Sequence, residues 1–237
     1  MTAWHASSRA IIWAMIALLL APVSAFADPK PKEWNPNIEP SNFVTTVDNP
    51  YFRLVPGRVM RYEVTGGKGG NETLVVEVRT DKKPILNVMT TIVIETLTID
   101  GQTAEISENW FAQDTDGNVW YFGEATQDFQ NGQPGSTSGS WQAGVAGAKP
   151  GIVMPAHPET GSTFFQEHAP GVAEDMATII STTETVTVQY GTFSNVVKTK
   201  DWNPLEHGRV EHKFYASGIG LIMEKSGNET LELVSVN

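Results

Sequence analysis

Carboxylate and imidazole side chains gather in one short stretch of the sequence. Glu167 and His168 precede a Pro-Gly pair, and Glu174 and Asp175 follow it. Several oxygen ligands suit Ca²⁺, and a mixture of carboxylate and imidazole groups suits a transition metal. These four residues are therefore predicted metal ligands. The alternative interpretation is a loop of solvated charges that holds no ion.

A second acidic segment, Asp-Thr-Asp-Gly-Asn, occupies positions 114–118. Asp114 and Asp116 are also candidate Ca²⁺ ligands. An EF-hand loop, however, needs a third Asp or Asn before its glycine and a Glu at position twelve, where this chain has Ala125. Asp, Asn and Gly tolerate positive φ, so a β-hairpin turn is the alternative.

Large aromatic side chains with one acidic neighbour form a candidate ligand site. On a curved sheet they could line a cavity that takes an apolar or sugar ligand, although such residues also fill cores. Alternation along a strand sends Trp120 and Phe122 to one face and Val119 and Tyr121 to the other. The predicted ligand-binding residues are Trp110, Trp120, Phe122, Glu124 and Trp141.

The sequence contains no motif of an established catalytic class. It lacks G-x-S-x-G, H-E-x-x-H and the phosphate-binding Walker loop. The absence of cysteine excludes disulfides, thiolate catalysis and Cys-ligated metals. Two carboxylates can hydrolyse a glycosidic bond, and Glu124 with Glu167 is the candidate pair for such a hydrolase. We assign no catalytic residue and expect no required cofactor, with Ca²⁺ or another divalent metal as the alternative.

The charge balance restricts the partners of this protein. The chain of 237 residues has 16 Lys and Arg against 27 Asp and Glu, a formal net charge of −11. Nucleic-acid binding requires clustered cations, and docking on anionic lipid requires the same. We therefore expect a small-molecule ligand or an envelope component as partner, and no nucleic acid.

The first 27 residues have the pattern of a secretory signal peptide. Arg9 precedes an apolar run at 10–23, and the Ala-Phe-Ala motif at 25–27 is a typical cleavage site. No later apolar run reaches membrane-spanning length, so we expect no membrane span after signal cleavage. Residues 28–42 are rich in proline and predict an extended arm. Residues 43–237 are predicted to form a single domain, periplasmic or secreted.

The composition of that domain favours β-structure. Val and Thr far outnumber Leu, and several segments alternate between apolar and polar residues. Turn residues separate about ten such segments, and 85–99 is interpreted as one long or bent strand. A glycine-rich stretch at 130–151 predicts a long loop. The predicted fold is all-β: a single strongly curved antiparallel sheet or a partly closed barrel.

Several segments resemble a family of secreted bacterial proteins of unknown function, with a meandering β domain similar to the DUF3108 type. They lie at 48–57, 109–124, 141–155, 166–176, 191–193 and 215–221. The resemblance implies the fold and an exported location, and no catalytic residue. Together with the aromatic residues, it favours an exported periplasmic protein that binds a small hydrophobic or amphipathic ligand on the concave face of its sheet. The alternatives are a metal-binding envelope protein and a carboxylate-based hydrolase.

Overall fold

The computed structural model describes residues 34–67, 70–206 and 208–237. The predicted signal peptide at 1–27 and the first part of the predicted arm, 28–33, lie outside the described residues. Within the described residues, the regular structure is one short 3-10 helix at Pro40–Asn42 and β-strands. The all-β prediction is confirmed.

Sixteen strands are found in the described part of the chain. They are β1 (Phe43–Val44), β2 (Val59–Thr65), β3 (Glu72–Ile85), β4 (Val88–Ile99), β5 (Gln102–Asp114), β6 (Val119–Gln130), β7 (Gln133–Pro134), β8 (Trp141–Gln142), β9 (Lys149–Met154), β10 (Thr163–Phe165), β11 (Glu167–His168), β12 (Met176–Val188), β13 (Gly191–Trp202), β14 (Glu211–Ala216), β15 (Gly220–Ser226) and β16 (Glu229–Val236). The predicted number of about ten was too low, because strands of two or three residues leave no alternation in the sequence.

The strands form one antiparallel sheet that is nearly closed into a barrel. Its order is β10-β12-β13-β14-β15-β16-β2-β3-β4-β5-β6-β9-β11. The two ends of this path, β10 and β11, are consecutive in the chain and separated only by Gln166. The edges of the sheet therefore meet at Gln166, and we call this junction of β9, β10 and β11 the seam.

The predicted long strand at 85–99 is instead a hairpin junction followed by β4. Leu86 and Asn87 have φ values of 50° and 62°, and Ile85 pairs with Val88 across them. Two successive positive φ angles are typical of the tight turns that match the twist of a β-hairpin. Because leucine rarely adopts positive φ, no turn was predicted at this position.

The predicted glycine-rich loop folds back onto the sheet and contributes two short strands, β7 and β8. β8 pairs with β6, with Trp141 opposite Glu124 and Gln142 opposite Gly123. Gly123 has a φ of 129°, and a Cβ atom there would lie 2.9 Å from the Cα of Gln142. A glycine is thus required where the loop backbone crosses β6.

The described part of the N-terminal arm packs on the outer surface of the barrel. The indole N–H of Trp34 donates to the carbonyl of Pro150 at 2.8 Å, and Lys149 donates to the carbonyl of Trp34 at 2.9 Å. The Trp34 ring also lies 5.7 Å from that of Phe165. Because Pro150 is on β9 and Phe165 on β10, the arm lies across the seam.

Apolar and polar residues share the interior of the barrel. On β5, Glu105, Ser107, Asn109 and Phe111 alternate towards the interior, and all four are buried. The register of β4 on β5 places Glu95 opposite Ser107, on the same inner face. The inner surface therefore carries carboxylates, and these are the starting point for the candidate site.

Candidate functional site

A cavity of about 70 Å³, partly open to solvent, lies inside the barrel. Its walls are mostly apolar, with Glu95 and Lys213 as the two charged side chains from the strands. The lining residues are Phe52, Arg53, Leu54, Met60, Tyr62, Val76, Val93, Glu95, Phe111, Val153, Lys213, Tyr215, Ile219, Gly220 and Leu221. Such a lining, apolar with few polar groups, is typical of small-molecule sites.

Alternation along the strands places the wall residues. Met60 and Tyr62 are two residues apart on β2, as are Val93 and Glu95 on β4, so each pair points to the same face. The Tyr62 hydroxyl donates to the carbonyl of Leu221 at 2.9 Å. This bond ties the beginning of β15 to the wall of the cavity.

The segment at 47–54 forms one side of the cavity and is fixed by the β5–β6 turn. The amides of Asp48 and Asn49 both donate to the side-chain oxygen of Gln113, at 2.9 and 2.8 Å. Phe52 packs on Phe111 with ring centroids 5.1 Å apart. These contacts predict a preformed cavity, because the segment is held by interactions that need no ligand.

Lys213 is a buried cation held by carboxylates. Its side chain is 4% exposed, and its Nζ lies 3.2 Å from Asp201 and 3.9 Å from Glu211. Burial alone would lower the pKa of Lys213, but the charges of Asp201, Glu224 and Glu211 outweigh it and hold that pKa well above its usual value. Lys213 is therefore charged, and the carboxylates around it balance its charge.

Several interior carboxyl groups have raised pKa values. Burial, with the nearby charge of Glu105, raises the pKa of Glu95 to about 8, against the opposing effect of Lys213. Burial raises the pKa of Glu105 to about 7 and that of Asp175 to about 7. It also holds the pKa of Glu124 well above its usual value. Near neutral pH, the interior therefore carries fewer negative charges than its composition suggests.

We expect the protein to be more stable at pH 5 than at pH 8. Because the pKa of Glu95 is raised to about 8, the folded protein holds a proton that the unfolded chain releases near pH 4.5. The resulting stabilisation is complete below the unfolded pKa and is lost as pH rises through the folded pKa. Each proton that the folded protein binds and the unfolded chain does not lowers the free energy of unfolding by about 1.4 kcal/mol for each unit of rising pH.

Urea unfolding at pH 5, 6.5 and 8 measures this dependence. The Glu95→Gln variant should show a shallower decline between pH 6.5 and 8, because one of the titrating groups is removed. Unfolding free energies that stay level or rise towards pH 8 would contradict the raised carboxyl pKa values.

The predicted aromatic ligand residues do not line this cavity. Trp110 is buried, its N–H donates to Glu108 at 2.8 Å, and Lys83 lies 3.3 Å from the centre of its ring. Trp120 packs on Trp34 and Phe43 beneath the arm, at centroid distances of 6.1 and 6.3 Å. These contacts occupy the outer face of the sheet, so neither tryptophan lines the cavity.

Phe122 does not line the cavity either. It is fully buried and packs on Phe43 at 5.6 Å, under the arm. The alternation predicted from the sequence is right, but the set that faces the interior is Val119 and Tyr121, both fully buried. Tyr121 stacks on the cavity residue Phe111 at 4.7 Å. Phe122 thus belongs to the contact between arm and barrel.

Glu124 and Trp141 lie inside the barrel near the seam, away from the lining of the cavity. Glu124 is 2% exposed and accepts a hydrogen bond from Thr126 at 3.1 Å. The Trp141 ring packs edge-on to Tyr121 at 5.5 Å. Its indole N–H faces Glu167 without normal hydrogen-bond geometry, and it moderates the raised pKa of that carboxyl, which burial and the charges of Asp175 and Glu124 produce.

The four residues predicted as a metal site around the Pro-Gly pair do not converge as one set of ligands, although the charge of Asp175 acts on the carboxyl group of Glu167. Glu167 is fully buried at the seam, and His168 lies beside the Phe165 ring at 5.1 Å. Glu174 accepts a hydrogen bond from the Gly171 amide at 3.0 Å. Asp175 accepts one from Asn203 at 3.1 Å. Among the described residues, no three His, Asp or Glu side chains converge as metal ligands.

The acidic segment at 114–118 is the hairpin turn between β5 and β6. Asp114 accepts hydrogen bonds from the amide and side chain of Asn118, both at 2.8 Å, and from the Trp120 indole at 2.8 Å. Asp116 is exposed at the tip of the turn. The structure therefore supports the alternative interpretation, in which these residues stabilise a turn.

Sequence reasoning missed Glu95 and Lys213. Glu95 lies in the apolar run of β4 and Lys213 between His212 and Phe214. For Glu95 the available signal was a single charged residue in a Val- and Ile-rich strand, because such residues are rarely buried without a partner. Lys213 follows Glu211 and His212 in β14 and offered no such signal. Their proximity depends on pairing between distant strands and leaves no local pattern.

Comparisons with known proteins give structural neighbours without a family. No protein-family model matches the chain, and no curated protein matches it. One solved structure is named as an exported protein with a YmcC-like fold from Bacteroides fragilis, with 16% identity over 79% of this chain and 98% of that chain, and a TM-score of 0.47. Another is named as a lipoprotein from Parabacteroides distasonis, with 11% identity over 79% and 98%, and a TM-score of 0.43.

Because both TM-scores are below 0.5, the functional argument rests on the cavity of this protein. The resemblance to the DUF3108 type finds no matching family model and stays a prediction. Within the described residues, no helix is long and apolar enough to cross a membrane.

Proposed function

We propose that this protein is an exported binding protein that holds a small amphipathic ligand in the interior cavity of its barrel. The observation that carries the proposal is the interior cavity with apolar walls and two charged strand residues, Glu95 and Lys213. An apolar body would pack against the walls, and a polar end would face the two charges.

The order of the cavity supports this function. Small-molecule sites are usually preformed. Phe52 and Phe111 line the cavity and pack on each other at 5.1 Å, and the amides that precede Phe52 are held by Gln113. A preformed site loses little conformational entropy when a ligand binds. The proposed location is periplasmic or extracellular.

Filling the cavity should abolish binding. Ile219 lines the cavity next to Gly220 in the turn before β15. We expect the native protein to bind the neutral apolar fluorophore N-phenyl-1-naphthylamine, with increased fluorescence. In the Ile219→Trp variant the indole would occupy the cavity, and we expect the dissociation constant to rise at least tenfold.

The control is Val210→Trp, which adds the same indole at an exposed position outside the cavity lining. Near-UV circular dichroism establishes that both variants are folded. Equal binding by the native protein and a folded Ile219→Trp variant would place the probe elsewhere. Absence of binding by the native protein would count against the proposed function.

Native mass spectrometry of protein isolated from its own envelope identifies what it carries. An additional mass of several hundred daltons, lost on denaturation, is the result expected for a small organic ligand. An additional mass of a few tens of daltons that a chelator removes would instead favour the metal-binding alternative.

A further inference from the structure

The two charged strand residues that line the cavity are Lys213 and Glu95. They differ in whether the protein itself provides a partner of opposite charge. Lys213 is 4% exposed and lies within 4 Å of two carboxylates, those of Asp201 and Glu211. Glu224, directly opposite Lys213 on β15, is also buried. A ligand anion directed at Lys213 would approach three carboxylates as well as one ammonium group, so Lys213 is a poor anion site.

Glu95 is in the opposite situation. It points into the barrel from β4, yet it retains accessible surface because it lines the cavity. In the described part of the chain, its carboxylate forms no hydrogen bond and no ion pair within 4 Å. A carboxyl group inside a protein without such a partner is costly in its ionised form. A ligand could supply the missing partner.

The groups around Glu95 favour a cation. From β5, the charge of Glu105 opposes ionisation of Glu95, and from β14 Lys213 favours it. Tyr62 on β2, together with Tyr121 and Glu124 on β6, also lies within electrostatic range of Glu95. The remaining charged lining residue, Arg53, is exposed. A second anion near Glu95 would be repelled, whereas an ammonium group would be attracted and could donate to the carboxylate.

We propose that the cavity selects ligands with an apolar body and a cationic head such as a primary ammonium group, and that Glu95 is the residue that binds this head. The proposal rests on the proposed function, since it names the class of ligand for the same cavity. The apolar walls would hold the body of the ligand equally well for any head group, so Glu95 provides the selectivity.

Three probes with the same alkyl chain separate the head group from the body. Decylamine, decanol and decanoate are titrated by isothermal calorimetry at pH 8.5, where an alkylamine is still protonated. We expect decylamine to bind at least tenfold more tightly than decanol, and decanoate to bind most weakly. Decylamine binding should also strengthen between pH 6 and 8.5, because binding a cation to Glu95 displaces a proton, while decanol binding stays constant.

The variant Glu95→Gln keeps the shape of the side chain and removes its charge. We expect it to bind decanol like the native protein, to lose the preference for decylamine, and to lose the pH dependence. Glu77→Gln, on the outer face of β3 with a side chain 43% exposed, is the matched control and should behave like the native protein.

The outcomes distinguish the two proposals. If decanol binds and decylamine binds no better, or if Glu95→Gln retains the preference, the cation inference is overturned and the binding function stands. If none of the three probes binds the native protein, both proposals are overturned.

Discussion

Replacing Lys213 with methionine is expected to lower the free energy of unfolding by about 3–5 kcal/mol. Methionine is similar in length and suits an apolar wall, so the loss would come from the charges left behind. Asp201 is 5% exposed and its carboxylate lies 3.2 Å from the lysine nitrogen. Without Lys213, the carboxylates of Asp201 and Glu224 would remain buried without their cation. Urea unfolding at pH 7 measures the effect.

Two further variants show whether the buried charge is the cause. Lys225→Met, on the exposed side of β15, should change stability by less than about 0.5 kcal/mol. The double variant Asp201→Asn with Lys213→Met should recover part of the lost stability, because it removes one of the carboxylates that are buried without a cation. If Lys213→Met lowers the free energy of unfolding by less than about 1 kcal/mol, Lys213 does not stabilise the buried carboxylates as described.

Replacing Gly151 with alanine is expected to lower the free energy of unfolding by about 3 kcal/mol, at the upper end of the cost of overpacking. A Cβ atom on Gly151 would collide with the carbonyl oxygen of Gln166 and lie 2.7 Å from that of Phe165. Both obstacles are backbone atoms at the seam, so the clash can be relieved only by moving β9 away from the β10–β11 segment. Urea unfolding measures the loss of stability.

The matched control is Gly135→Ala. Gly135 is exposed, and an added Cβ would come no closer than 3.6 Å to Asp128. Its variant should be neutral or slightly stabilising, since alanine restricts the unfolded chain more than glycine does. Equal effects of the two substitutions would show that the seam is not tightly packed at Gly151. Hydrogen exchange at Gln166, compared between the native protein and Gly151→Ala, locates the opening.

Most strands of this fold can be predicted from the sequence, because alternation of apolar and polar residues and turn-forming residues are patterns within short segments. The β2–β3 hairpin and the turn at Asp100-Gly101 follow from such patterns, and the curved antiparallel sheet follows from their number. The hairpin at Leu86-Asn87 was missed because its first turn residue is one that rarely adopts positive φ.

The functional site was harder to predict, because a β-strand does not reveal which of its faces is internal. The aromatic residues of β6 were correctly divided between two faces, but Trp120 and Phe122 face the arm and Tyr121 faces the barrel. A shift of one residue exchanges the faces completely. The carboxylates around Lys213 lie on β13, β14 and β15, and they meet through the register of these strands, which no local pattern reveals.

The pairing of β2 with β16 has a consequence for the time at which this fold can form. Met60 pairs with Val236 and Tyr62 with Leu233, so the first long strand finds one neighbour only in the last. Hairpins from β2 to β6 can form early from local sequence, but the circle of strands stays open until β16 has arrived. Contacts between such distant segments form slowly. For the exported chain proposed here, this order of events delays the native state until nearly the whole polypeptide has reached the compartment where it folds.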